Sequence, residues 1–150
     1  MAKKSLVLIC ASIILSQLVI VSCNEEDIDW TTVHDELRKM AGGLRKKCIG
    51  ETGATIEMLD GAELGEFPTQ DKVLGCYFKC VMEKGGAMKK DGKINYKILS
   101  KLMPPAYKHI GMEMLDQCRN IEGTDKCVIA INFNKCMYNA NPVVCILCND

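Results

Sequence analysis

Apolar residues recur at three- and four-residue steps through most of this chain. Trp30, Val33, Leu37, Met40, Leu44 and Cys48 form the first such stripe, which predicts an amphipathic helix with one face turned inward. Asp29 is placed to cap it, and Gly42-Gly43 weakens its middle. A second, short helix is expected from Thr55 to Leu64, closed by Gly65 and Pro68. Thr69 then caps a third helix, which carries "CYFKC" and ends at Gly85-Gly86. Lys89-Lys90-Asp91-Gly92 reads as a turn.

Ile94, Ile98, Leu102 and Met103 mark a fourth helix, which Pro104-Pro105 stops. The same prolines suit the first turn of a fifth. There Tyr107, Ile110, Met114, Leu115, Cys118 and Ile121 share one face, at about 100° per residue. His109, Glu113 and Asp116 lie opposite. Thr124 is placed to cap a sixth helix running to about Asn139. No strand alternation is visible over a useful length. The prediction is an all-α domain of about six helices.

Composition adds a compartment. The chain has 150 residues and ten cysteines, a frequency that belongs to oxidised, disulfide-built proteins. Lys3 and Lys4 precede a mostly apolar run from Leu6 to Val21, and Val21 and Cys23 fit the small positions before a cleavage site. Residues 1–23 are therefore expected to be a signal peptide and residues 24–150 the helical domain. A signal anchor and a lipidated Cys23 are the alternatives. The run is broken by Ser12, Ser16 and Gln17 and falls short of the roughly 20 residues of a membrane span. "IVSC" matches a lipid-attachment pattern poorly. Cleavage after Cys23 removes Cys10 and Cys23 and leaves an even eight cysteines.

Charge excludes other classes. From residue 24 onward the chain carries 17 basic and 19 acidic residues, which gives no nucleic-acid footprint. No basic helix points to a membrane surface, so neither nucleic acid nor stable membrane insertion is expected. H-E-x-x-H, G-x-S-x-G and P-loop motifs are missing from the sequence. The chain is read as no enzyme, with no cofactor and no metal.

The cysteines limit the topology. Cys76 and Cys80 lie one turn apart on one side of the third helix. Bridges to separate helices close longer loops than a bond between the two, so each is expected to reach a different neighbour. Cys127 and Cys136 are nine residues apart, on opposite sides of the sixth helix. That helix is clamped from two directions. Spacing alone still leaves about 105 connectivities for eight cysteines.

The pattern Cys48-x27-Cys76-x3-Cys80-x37-Cys118-x8-Cys127-x8-Cys136 resembles the six-cysteine signature of classical insect odorant-binding proteins. "FPTQDKVLGCYFKC" and "LMPPAYKHI" resemble segments of that family too. The resemblance implies the pairs Cys48–Cys80, Cys76–Cys127 and Cys118–Cys136, interlocked around an apolar cavity. Cys145 and Cys148 depart from the six-cysteine pattern. They are read as a fourth, local bridge, with cross-linking or a free pair as the alternative. A redox or zinc role lacks its βαβ context or its second ligand pair.

The resemblance further implies a secreted carrier for small hydrophobic molecules such as odorants or pheromones, in sensillum lymph or another body fluid. An olfactory receptor or co-receptor is the implied protein partner, and a monomer or weak homodimer the implied state. The inward stripes supply an expected lining of Leu74, Phe78, Ile98, Leu102, Ile110, Met114, Ile129, Phe133 and Met137. Val144 and Ile146 join it if the C-terminal segment folds over the cavity as one wall, as in similar proteins. Tyr77, Tyr107 and Tyr138 are the hydroxyl-bearing candidates for a polar anchor, with the surface as the alternative. His34 and His109 are the only histidines that could sense pH near neutrality. His109, four residues before Glu113, reads as part of a surface pair. The competing function is a secreted interaction or defence protein that uses its surface.

Overall fold

The computed structural model describes residues 30–68 and 72–142. The expected signal peptide, Thr69 and the segment carrying Val144, Cys145, Ile146 and Cys148 lie outside the described residues. Six α-helices follow in order: α1 Trp30–Thr52, α2 Ile56–Glu63, α3 Lys72–Lys84, α4 Tyr96–Leu102, α5 Lys108–Gln117 and α6 Lys126–Ala140. A single 3-10 turn, Pro105–Tyr107, leads into α5. The only extended pairing among the described residues is an isolated antiparallel bridge between Met88 and Ile94.

Local chemistry explains most boundaries. α1 runs straight through Gly42 and Gly43, which are exposed and where a side chain would meet nothing. Their cost is one of propensity and not of packing. Thr55 caps α2, its hydroxyl accepting from the Met58 N–H at 3.3 Å. α3 ends where the Gly85 N–H donates to the Val81 carbonyl, and Gly86 follows at φ +74°.

Three boundaries differ from the sequence reading. Ile94 belongs to a hairpin and not to α4. The Lys89 N–H donates to the Lys93 carbonyl across the predicted turn, and Asn95 then caps α4 with its side chain. α5 ends at Gln117, before Ile121. The cap of α6 is Asp125 and not Thr124. The Asp125 carboxylate accepts from both Cys127 and Val128 N–H groups, at 2.8 and 3.0 Å. A charged acceptor serving two orphan donors outcompetes a neighbouring hydroxyl.

α3 is the centre of the molecule. It packs most extensively on α6 and next on α1. It buries Leu74, Tyr77, Phe78, Val81 and Met82. Gly75 permits the closest approach: a Cβ there would stand 2.8 Å from the Cys127 carbonyl oxygen of α6. Beside it, the Cys76–Cys127 bridge spans a Cα–Cα distance of only 4.5 Å.

Cys48–Cys80 ties α1 to α3, and Cys118–Cys136 ties the end of α5 to α6. These are the three pairs the resemblance implied. They close separations of 32, 51 and 18 residues, each worth roughly 3 to 4 kcal/mol in chain entropy. Salt bridges accompany the first two. Lys84 meets Glu51 at 3.1 Å between α3 and α1, and Lys126 meets Glu83 at 3.0 Å between α6 and α3.

Candidate functional site

The clamped helices turn their apolar faces toward one another. α3 contributes Leu74 and Phe78, one turn apart. α5 contributes Met114, and α6 contributes Phe133 and Met137. All five are buried in the single hydrophobic core, which also takes in residues such as Leu59, Val81, Met88 and Leu115. Ile110 and Ile129 pack against it while half-buried. Ile129 is drawn partly to the hairpin, where its Cδ1 lies beside Gly92.

The lock explains the convergence. Cys127 and Cys136 anchor opposite sides of α6 to α3 and α5. The face between them carries Ala130, Phe133 and Met137. The helix cannot rotate about its axis without straining one bridge, so these side chains are held inward.

Aromatic rings extend the cluster. Phe67, in the loop before α3, meets Phe78 at 6.2 Å and Tyr138 edge-on at 5.7 Å. Tyr77 meets Phe78 edge-on at 5.5 Å. Tyr96 meets Phe133 the same way at 6.3 Å. The sequence reading missed Phe67 because it stands outside any helical period. Its signal was scarcity: only three phenylalanines occur, and this one precedes a proline.

The polar groups at the region are phenol hydroxyls and the Arg45 guanidinium beside Tyr77. No polar or charged residue is fully buried among the described residues. Tyr77 and Tyr107 are buried and do not reach the surface. The Tyr107 hydroxyl donates to the Met114 sulfur at 2.6 Å. Burial pushes the Tyr77 phenol up to about 12, against the lowering influence of Arg45. Burial pushes Tyr107 up as well. Both are therefore neutral at physiological pH. Tyr138 is half-buried, its ring over Gly65.

Other expected lining residues stand apart. Ile98 is half-buried, and Leu102 is 42% exposed. Neither belongs to the cluster. Val144 and Ile146 lie outside the described residues. His109 and Glu113 are both exposed on α5. The side chain of His34 lies outside the described residues. Among the described residues, no group of three or more His, Cys, Asp or Glu side chains is placed to hold a metal. No described helix is long and apolar enough to cross a membrane.

An open cleft of about 390 Å³ lies beside the Cys118–Cys136 bridge, lined by Gln117, Asn132, Lys135, Cys136, Asn139 and Ala140. Four of its six lining residues are polar, and it shares no residue with the expected lining.

Comparison with known proteins gives a consistent result. The profile of the PBP/GOBP family matches residues 31–140. General odorant-binding protein 56a of Drosophila melanogaster is 28% identical over 109 residues, 72% of this chain and 78% of that protein. The structure of Apis mellifera odorant binding protein 5 superposes with a TM-score of 0.67 at 34% identity, over 73% of this chain and 93% of that one. Odorant binding protein 7 from Anopheles gambiae, solved with four disulfide bridges and in complex with an azo compound, gives 0.67 at 30% identity. That match spans 76% of this chain and 93% of the mosquito chain.

Proposed function

The chain belongs to the PBP/GOBP family, and from that premise we propose that it is a secreted, non-catalytic carrier of small hydrophobic molecules. One observation carries the reading most of the way. Leu74, Phe78, Met114, Phe133 and Met137 come from three disulfide-locked helices into one core, and no charged residue is fully buried among the described residues. Moving a small apolar molecule from water to such surroundings is worth roughly 25 cal/mol per Å² before the costs of binding. Methionine side chains adapt to irregular shapes, and Met114 and Met137 are two of the five.

The remaining parts of the reading follow the same logic. Residues 1–23 direct secretion and are removed. The segment after Pro142 closes the binding region as a wall, with Val144 and Ile146 facing in and Cys145–Cys148 as a short fourth bridge. The mosquito relative with four bridges is a precedent for the bridge count, and its azo compound for a bound small molecule. The cargo is delivered through aqueous fluid to a receptor.

Uptake of the apolar fluorophore N-phenyl-1-naphthylamine by the oxidised chain of residues 24–150, and its displacement by alcohols, esters, aldehydes and aromatics, tests the proposal. Micromolar displacement by some classes and not others is expected. Truncation after Pro142 is expected to weaken uptake. Failure of the correctly bridged protein to take up any fluorophore would leave the fold without the carrier role.

A further inference from the structure

Charge is distributed very unevenly along this chain. Residues 84–108 hold seven lysines and one acid, while the rest from residue 24 holds ten basic residues and eighteen acids. The fold gathers the basic part. Lys89, Lys90 and Lys93 are exposed on the hairpin, which runs directly into α4, where Lys97 and Lys101 are exposed one turn apart. Lys97 and Lys101 have no salt-bridge partner among the described residues. On the adjoining arc of the same helix stand half-buried Ile98 and exposed Leu102. The basic residues are divided between a hairpin and a seven-residue helix, which hides them from a search for a basic helix.

α2 carries the complement. At 100° per residue its outward arc holds Ile56, Glu57 and Asp60, Leu64 follows as the C-cap, and all four are exposed. Leu64, at 77%, is the most exposed large apolar residue among the described ones. Glu57 and Asp60 have no salt-bridge partner among the described residues. The molecule therefore presents two small amphipathic faces of opposite sign, each with two apolar residues beside two like charges that make no salt bridge among the described residues.

We propose that the outward face of α2 docks on the hairpin–α4 face of a second copy of this chain. The partner's chemistry is already on the molecule: an acidic arc with apolar flanks meets a basic arc with apolar flanks. Around a twofold axis the contact forms twice and closes as a dimer, and otherwise it repeats head to tail. Opposite charges outside a core set register and encounter more than strength. The association is accordingly weak and salt-sensitive, since exposed charges are screened within about 10 Å at 0.1 M salt. The contact lies away from the apolar cluster and does not depend on the carrier reading.

Sedimentation of the oxidised chain of residues 24–150 at low and high salt tests it. The expected result is self-association at low salt that weakens at high salt. Lys97→Glu with Lys101→Glu should weaken it about tenfold or more, and so should Glu57→Lys with Asp60→Lys. Mixing the two variants should restore association, because each reversed face then meets its complement. All four positions are exposed, and circular dichroism of each variant checks its fold. Self-association that ignores both reversals overturns the proposal, as does a monomer at every salt concentration. A monomer that binds anionic lipid vesicles assigns the basic face to a lipid surface and overturns it as well. So does association that emerges only after deletion of the acidic residues 24–29, which would make that segment the occupant of the basic face.

Discussion

The α3–α6 pair and the hairpin–α4 unit belong to the same small domain but are held by different physics. α3 and α6 are joined by a disulfide, a backbone approach that only Gly75 allows, and the Lys126–Glu83 ion pair. Between them they bury Leu74, Tyr77, Phe78, Val81, Met82, Ile131, Phe133 and Met137. α4 has no fully buried residue and no cysteine. It is attached through the hairpin and through Tyr96, whose hydroxyl bonds the carbonyls of Cys118 and Arg119 at 2.8 and 2.9 Å. The first region has the rigidity to shape an apolar interior. The second is free to turn charge and Leu102 outward.

Breaking the rigid region should have the largest effect. Cys76→Ser with Cys127→Ser should cost about 2 to 5 kcal/mol of stability, read by denaturant unfolding. Gly75→Ala should cost about 1 to 3 kcal/mol with all bridges formed, because its Cβ must push the Cys127 carbonyl away. Wild-type stability for that variant would show that the helices can separate freely. In the second region, Tyr96→Phe should cost only about 1 kcal/mol, since it removes a hydroxyl and keeps the ring against Phe133.

The smallest effect is one of pH. Burial raises the Glu83 carboxyl, but hydrogen bonds from Lys126 and Lys79 outweigh it and hold the group below its ordinary 4.5. Its contribution is therefore full above that value and is lost as pH falls through the lower, folded value. Glu83→Gln should flatten this acid dependence by less than about 1 kcal/mol, seen by comparing unfolding near pH 7 and near pH 3. An unchanged acid limb would remove Glu83 from the clamp.

The same contrast explains what the sequence made legible. On α3 and α6, long helical stripes and cysteine spacing agree, and the inward arcs follow with few alternatives. The disulfide partners needed the family resemblance, because one-turn spacing at Cys76 and Cys80 limits partners without naming them. α4 is seven residues long, too short for its period to show which arc is buried. Its stripe through Ile98 and Leu102 suggests an inward face, whereas the helix turns Leu102 to solvent and packs Tyr96 and Leu99 on the core. At α6, Thr124 and Asp125 are both capping residue types, and the choice rested on a doubly accepting carboxylate that spacing does not reveal. Tyr77 and Tyr107 were ambiguous because a phenol suits both surface and core.

The central claim is that the cluster between α3, α5 and α6 is where an apolar ligand sits. Methyl NMR of methionine-labelled protein, titrated with N-phenyl-1-naphthylamine, reports on it directly, because Met114 and Met137 lie within that cluster. The account predicts that both methyl resonances shift as fluorescence reports uptake, and more than that of Met58 on α2. Uptake that leaves Met114 and Met137 unmoved would contradict it.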